Sequence, residues 1–102
     1  MAGRAVRVSG HFFLILAKPN QEVHPRLGVI VAKKAYRLAT KRNRVKRIIR
    51  ESFRQQLMTL PAIDVVALAH KGKILPENSE LFQDLETLWK DLNKKFAKRS
   101  SA

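Results

Sequence analysis

The sequence predicts an α+β fold, a two-layer sandwich in which a small β-sheet packs against two amphipathic helices. Three apolar runs of strand length, at residues 12–17, 27–32 and 62–70, are bounded by turn-forming residues. Two further segments, 38–60 and 81–96, repeat apolar residues at the three- and four-residue spacing of an α-helix. Each helix needs an apolar surface to pack on, and a small sheet provides one.

A polar loop separates the first apolar run from the second. The residues Lys18-Pro19-Asn20 end the first run, and Pro25 closes the loop before the second. We therefore expect these two runs to pair antiparallel across the loop, with a short strand around residues 4–8 preceding them. The third run is almost entirely aliphatic apart from Asp64, which predicts a buried interior strand.

The segment between the second and third runs is the most basic part of the chain. Residues 33–54 carry ten Lys or Arg and one acid, Glu51, a net charge of +9 within a chain of net charge +13. We expect its helix to begin near Leu38 to Thr40, with Thr40 as the N-cap, and to end before Pro61. At about 100° per residue, one side of this helix is apolar and the other is cationic. The residues predicted to pack are Val45, Ile48, Ile49, Ser52, Phe53 and Gln56, with Leu57 at the edge, and those predicted to face away are Asn43, Arg44, Lys46, Arg47, Arg50 and Arg54.

The last segment predicts a second amphipathic helix. Pro76, Asn78 and Ser79 supply helix-start chemistry. The spacing of Trp89 from its leucine neighbours predicts that its ring packs in the core rather than stacking on a nucleobase. The apolar residues that define the packed side are Leu81, Leu85, Leu88, Trp89, Leu92 and Phe96.

Length and composition exclude several classes of protein. A chain of 102 residues with 45% hydrophobic residues fits one domain, 1–102. The absence of cysteine excludes disulfides and thiolate metal sites, and it favours a reducing compartment, the cytoplasm. No apolar run approaches the ~20 residues needed to span a bilayer. We therefore predict neither a membrane segment nor a targeting sequence.

The chain also lacks the parts of a protein catalytic site. Its isolated glycines do not form a phosphate-binding loop. His11, His24 and His70 are scattered, with no acid at metal-ligand or general-base spacing. Asp64 and His70 share an alternation face, but in an extended strand they are about 20 Å apart, too far for direct proton transfer. We therefore predict neither catalytic residues nor a metal bound by the protein.

The charge pattern points to RNA as the partner. A pI near 11 favours polyanions, because each phosphate contact releases condensed counterions. Like charges four residues apart, such as Lys46 and Arg50, repel by about 0.2–0.5 kcal/mol, which a polyanion would relieve. Asn43 adds an amide that suits 2′-hydroxyls and base edges. Of the adjacent Phe12 and Phe13, one must face away from the core, where it either stacks on a base or covers a neighbouring strand.

Several stretches resemble one known family in order and spacing. The signature is the central Arg-Asn-Arg of the basic helix, and the resemblance covers most of the chain. The matching stretches are Ala32-Lys33-Lys34, Lys41-Arg42-Asn43-Arg44-Val45-Lys46-Arg47, Arg50-Glu51-Ser52-Phe53-Arg54, His24-Pro25-Arg26-Leu27-Gly28-Val29 and Leu60-Pro61-Ala62-Ile63-Asp64-Val65-Val66. The family that they resemble is the bacterial ribonuclease P protein component.

The resemblance implies both a topology and a function. The topology is a mixed sheet with a left-handed crossover from strand to basic helix to strand. The function is that of an accessory subunit of a ribonucleoprotein endoribonuclease, in which a catalytic RNA uses Mg²⁺ to hydrolyse the 5′ leader from precursor tRNA. The protein helps to bind substrate and metal ions. The implied partners are the catalytic RNA and precursor tRNA, with no membrane, no protein-bound cofactor and no obligate protein partner.

Two sets of site residues follow from the resemblance. The family's leader-binding groove lies between the sheet, an N-terminal helix and the basic helix, and its floor is expected to include Phe12 and Leu14 or their alternates Phe13 and Ile15. The RNA-binding residues implied by the resemblance are Lys33, Lys34, Lys41, Arg42, Asn43, Arg44, Lys46, Arg47, Arg50 and Arg54.

One feature of the family has no counterpart in the predicted elements. Met1-Ala2-Gly3-Arg4 leads almost directly into the first strand, so we expect the N-terminal helix, one wall of the groove, to be missing.

Charge alone also allows a structural or ribosome-associated RNA-binding module without a processing role. A DNA-binding helix is a further alternative, but it would normally need a helix-turn-helix partner or a dimer.

Overall fold

The computed structural model describes residues 5–21, 24–70 and 76–100, with side chains described as far as Phe96. These residues form four strands and two helices. In chain order the elements are β1 (Val6–Ser9), β2 (Phe13–Pro19), β3 (Arg26–Ile30), α1 (Ala39–Gln55), β4 (Ile63–Ala69) and α2 (Asn78–Ser100). The expected α+β fold is confirmed, while the segment Met1-Ala2-Gly3-Arg4, where the family helix was expected to be missing, lies outside the described residues.

The sheet is mixed, with strand order β1-β2-β4-β3. β4 pairs antiparallel with β2 and parallel with β3, and α1 connects the parallel pair. The expected direct pairing of the first two apolar runs is therefore wrong, because β4 lies between β2 and β3. The interior position predicted for β4 is confirmed. A strand at the centre forms ladder hydrogen bonds along both edges, and the most continuous aliphatic run occupies it.

β2 extends to Pro19, further than the turn-forming residues Lys18-Pro19-Asn20 predicted. Lys18 and Pro19 remain in the strand and pair with Asp64 and Ile63 of β4. Proline is accepted at the end of a strand, where its missing N–H removes little from the ladder. The turn therefore begins later than the residue types alone indicate.

The helices cover one face of the sheet, and the register determines which residues lie beneath them. Phe13, Ile15 and Ala67 are fully buried, and the alternating residues face the other side. That side, which we call the open face, is apolar in its middle, and Leu16 and Ile30 are 36% and 51% exposed. The apolar residues of the open face are Leu14, Leu16, Ile30, Val66 and Leu68.

α1 begins at Ala39, two residues earlier than an N-cap at Thr40 would allow. Leu38 is the N-cap, without a side-chain capping bond, and Thr40 is already helical, so the prediction of Thr40 as N-cap is wrong. The helix ends at Gln55, before Pro61 as predicted. Its packed side is confirmed for the residues Val45, Ile48, Ile49, Ser52 and Phe53, which are all buried.

α2 packs as predicted from its apolar spacing. All six predicted apolar residues are buried, and Trp89 is completely inaccessible. The Trp89 indole N–H donates a 2.8 Å hydrogen bond to the Ser52 hydroxyl, and its ring meets Phe53 edge-on at 5.8 Å between centroids. These contacts fix α1 against α2 and so determine which side of α1 faces outward. Neither helix, over its described residues, is long and apolar enough to cross a membrane.

Candidate nucleic-acid interface

The outward side of α1 carries a dense set of cations. Lys41, Arg47, Arg50 and Arg54 are exposed, while Arg42, Arg44 and Lys46 are half-buried. Within the described residues the single ion pair joins Arg26 to Asp64, so none of these α1 cations is paired with a carboxylate. An unneutralised row of charge on a helix attracts phosphate groups from several directions. The amide of Asn43 is exposed within this row.

Two arginines of α1 are held by hydrogen bonds to neighbouring elements. The Arg42 Nη1 donates to the backbone carbonyls of Tyr36 and Arg37, at 3.0 and 2.8 Å. The Arg44 Nε donates to the Asn78 side-chain oxygen at 2.7 Å, which joins the start of α1 to the start of α2. These guanidinium groups are therefore oriented before any ligand binds, which lowers the entropy cost of contacting a phosphate.

Lys33 and Lys34 lie in a turn between β3 and α1. The apolar run at residues 27–32 was expected to continue as a strand up to these lysines, but β3 ends at Ile30. Both lysines are exposed, whereas the adjacent Ala35 and Tyr36 are buried. The buried pair anchors the turn, so the two lysines are presented just before the cationic helix.

The four residues expected in the leader groove separate into two environments. Phe13 and Ile15 have no exposed surface and belong to the core beneath the helices. They cannot line a groove. Leu14 lies on the open face, and Phe12 is half-buried in the turn before β2. Only Phe12 and Leu14 are therefore accessible to a ligand.

A second charged feature borders the open face. Arg26 donates from Nε and Nη2 to the two oxygens of Asp64, at 2.8 and 2.9 Å, and the Asn20 amide donates to the same carboxylate at 2.9 Å. The hydrogen bonds from Arg26 and then Asn20 lower the pKa of Asp64 from its ordinary value of 3.8 to about 2. The sequence offered no signal for this cluster, because it depends on the pairing of β3 with β4.

A third feature, also missed from the sequence, is the attachment of the β1–β2 turn to α2. Both oxygens of Asp84 accept backbone N–H groups, from His11 at 2.9 Å and from Phe12 at 3.0 Å. A usable signal existed, since Asp84 shares the packed side of α2 with Leu81, Leu85 and Leu88. A carboxylate at such a position requires hydrogen-bond donors from elsewhere in the fold.

Hydrolases commonly use a protein-bound metal ion or an acid–base pair of side chains, and the described residues offer neither. They contain no group of three His, Asp or Glu side chains that could hold a metal ion. The Asp64 carboxylate is engaged by Arg26 and Asn20, and the ring Nε2 of His70 lies 3.4 Å from the hydroxyl of Ser9. The surface is suited to binding a polyanion.

Comparison with known proteins identifies the family to which the chain is similar. The family model described as Ribonuclease P matches residues 2–93. The ribonuclease P protein component of Chromohalobacter salexigens is 42% identical over 101 residues, which is 99% of this chain and 79% of that protein. The ribonuclease P protein of Staphylococcus aureus superposes with a TM-score of 0.78 at 28% identity, covering 87% of this chain and 82% of that one. That of Thermotoga maritima gives 0.72 at 26% identity, covering 85% and 83%.

The family match, the relative and the solved structures all coincide with the features built up from the residues. The solved structures match the mixed four-stranded sheet with two helices, and the family model spans the cationic helix. The chain therefore belongs to the bacterial ribonuclease P protein family, whose role is that of the protein subunit of the RNA-based endoribonuclease that processes the tRNA 5′ leader.

Proposed function

We propose that the cationic side of α1, together with Lys33 and Lys34, binds the catalytic RNA of ribonuclease P and the adjacent part of precursor tRNA. The observation that carries the proposal is the row of α1 cations, which face outward with no carboxylate partner among the described residues. The residues assigned to this surface are Lys33, Lys34, Lys41, Arg42, Asn43, Arg44, Lys46, Arg47, Arg50 and Arg54.

A rigid helix suits a folded RNA better than a flexible basic tail would. The contact between Ser52 and Trp89 holds the packed side of α1, so the cations keep fixed spacings along its opposite side. RNA helices display phosphates and 2′-hydroxyls at regular intervals, and proteins recognise them largely by shape. Asn43 supplies a donor and an acceptor among the cations, which fits a 2′-hydroxyl or a base edge.

The 5′ leader of the precursor is proposed to lie along the open face against Leu14, with Phe12 accessible in the turn that precedes the same strand. An unpaired RNA strand exposes its bases, and apolar or aromatic side chains on a sheet are a common support for them. The open face offers such a support around Leu14, with Arg26 at its border. Phe13 and Ile15 take no part because they are buried.

Catalysis is assigned to the RNA and not to this chain. Mg²⁺ supplies the metal chemistry of the holoenzyme, but the described residues do not form a site that fits the ion. The phosphates of the RNA are the ligands that Mg²⁺ prefers, and the cations of α1 screen the remaining charge. We place the complex in the cytoplasm and treat residues 1–102 as one RNA-binding domain.

Reconstitution with a bacterial catalytic RNA tests the proposal. The chain is expected to bind that RNA, to favour precursor over mature tRNA, and to lower the Mg²⁺ concentration needed for leader removal. A variant in which Arg47 and Arg50 are both alanine is expected to lose RNA affinity. The matched control replaces Lys90 and Lys94, two exposed lysines of α2, and removes the same charge.

The outcome separates this role from that of a general RNA-binding module. Competition with a ribosomal RNA fragment of similar length should displace little of the catalytic RNA. Equal competition, or an unchanged Mg²⁺ requirement, would contradict the proposal. Equal losses of RNA affinity in the α1 variant and the α2 control would show that the net charge of the protein, and not the surface of α1, determines binding.

A further inference from the structure

The turn between β1 and β2 is held by hydrogen bonds to α2 and within the turn itself. Asp84, only 8% exposed, accepts the N–H groups of His11 and Phe12 through separate oxygens. The Gly10 N–H donates to the Phe13 carbonyl at 2.8 Å. A Cβ at position 10 would lie 2.5 Å from the Asp84 Oδ1, so a side chain there would displace the carboxylate. Gly10 therefore permits the close approach that fixes the turn.

This turn presents two aromatic rings beside α2. His11 is exposed and Phe12 is half-buried, with ring centroids 6.2 Å apart and planes tilted by 54°. They line a groove of about 720 Å³ whose other wall is α2, with Gln83 and Thr87 exposed along it. The groove therefore combines aromatic surface with groups that can hydrogen-bond the edge of a planar ligand.

The charge of the lining indicates which part of an RNA it accepts. Among the described lining residues there is no lysine or arginine, and two carboxylates, Glu80 and Asp84, are present. A phosphate would be repelled, in contrast to the cationic side of α1. A nucleobase is uncharged, has two π faces and carries polar edges, so it matches both the rings and the polar wall.

We propose that this groove binds one unpaired nucleobase, packed against the rings of His11 and Phe12, and that Asp84 is the positioning residue that holds those rings. The inference rests on the proposed function, because it requires RNA bound at α1. The base comes either from the leader of precursor tRNA or from an unpaired nucleotide of the catalytic RNA. Both present the same chemistry, and affinity measurements distinguish them.

The test uses the reconstituted holoenzyme and a variant that lacks both rings, His11→Ala/Phe12→Leu. Leucine keeps apolar contact at position 12, where the side chain packs partly against the core. Three affinities are measured: protein for catalytic RNA, holoenzyme for precursor tRNA, and holoenzyme for mature tRNA. Loss of stacking should weaken at least one of the first two by about fivefold or more and leave the third unchanged. A loss of affinity for precursor tRNA alone identifies the leader as the source of the base. A loss of affinity of the protein for catalytic RNA identifies an unpaired nucleotide of that RNA as the source.

Asp84→Asn tests the positioning role. In asparagine an NH2 group, which only donates, replaces one of the two accepting oxygens, so one backbone N–H loses its acceptor and the rings lose their fixed orientation. The matched control is Glu86→Gln, which makes the same charge change at an exposed position of the same helix. If Asp84 acts through the rings, adding Asp84→Asn to the ring-less variant should cause little further loss of RNA affinity. Circular dichroism at the assay temperature checks that each variant is folded.

Three results would overturn the inference. One is a ring-less variant with unchanged affinities for both catalytic RNA and precursor tRNA. Another is an equal loss for precursor and mature tRNA with normal binding of catalytic RNA. The third is full additivity of Asp84→Asn with the ring-less variant. Failure of the proposed function is separately visible, because the Arg47→Ala/Arg50→Ala variant would then bind catalytic RNA as well as its control does.

Discussion

The indole N–H of Trp89 donates a hydrogen bond to the hydroxyl of Ser52 across the interface of the two helices. The donor–acceptor distance is 2.8 Å, and both residues are buried. Ser52 is the polar residue on the packed side of α1, and Trp89 is the largest buried side chain. An indole N–H must find an acceptor when it is removed from water. The pair therefore sets the rotation of α1 and directs its cations outward.

Replacing Ser52 with alanine should destabilise the fold by about 1–3 kcal/mol, because the Trp89 N–H is left buried without an acceptor. Urea unfolding followed by far-UV circular dichroism measures the change, because this signal is present with and without Trp89, the one tryptophan of the chain. In a Trp89→Phe background the same Ser52→Ala change should cost less, since no donor remains. An equal cost in both backgrounds would mean that the hydrogen bond contributes little.

Removing one exposed cation from α1 should change the salt dependence of RNA binding. Arg47→Ala is expected to reduce the slope of log affinity against log salt by about 0.7–0.9, the value for one lost phosphate contact. Filter binding to the catalytic RNA at several salt concentrations measures the slope. Lys90→Ala removes the same charge from α2 and serves as the control. An unchanged slope for Arg47→Ala would mean that this side chain is only solvated.

Asn43 should behave differently from its cationic neighbours. Asn43→Ala is expected to weaken RNA binding by about 0.5–1.5 kcal/mol, the usual contribution of a neutral hydrogen bond. The salt slope should stay the same, because no charge is lost. The same titrations measure both quantities. A slope change as large as that of Arg47→Ala would count against a hydrogen-bonding role.

Asp64 should make stability depend on pH in the acid range. Its folded-state pKa of about 2 lies below the ordinary 3.8, so the unfolded chain binds more protons between these values. The stabilisation from Arg26 and Asn20 is therefore complete above about pH 4 and is lost as the pH falls toward 2. The difference in unfolding free energy between wild type and Asp64→Asn should shrink over that interval. A difference that is constant with pH would contradict the assignment.

Helical periodicity allowed most of the α1 surface to be predicted. Every residue predicted on its packed side from Val45 to Phe53 is buried, because a helix with one apolar side has one favourable way to face a core. The N-cap was predicted wrongly at Thr40, since Leu38 starts the helix without a capping side chain. Tertiary packing overrode the local preference there.

The predicted leader residues show the limit of alternation. Because side chains alternate between the two faces of a strand, Phe12 and Leu14 are separated from Phe13 and Ile15. The alternation does not say which pair lies under the helices. The observed register buries Phe13 and Ile15. Strand order was equally undetermined, because the loop after β2 is compatible with pairing to β3, whereas the chain instead places β4 between them.

The sequence by itself determined the class of fold, the two sides of each helix and a polyanionic partner, because these depend on local periodicity and on the sum of charges. Only the tertiary structure decided which residues meet across the chain. It joined Asp84 to the turn at His11, Arg26 to Asp64 and Arg44 to Asn78. Such pairs depend on strand order and on how the helices pack, and no spacing within one segment specifies them.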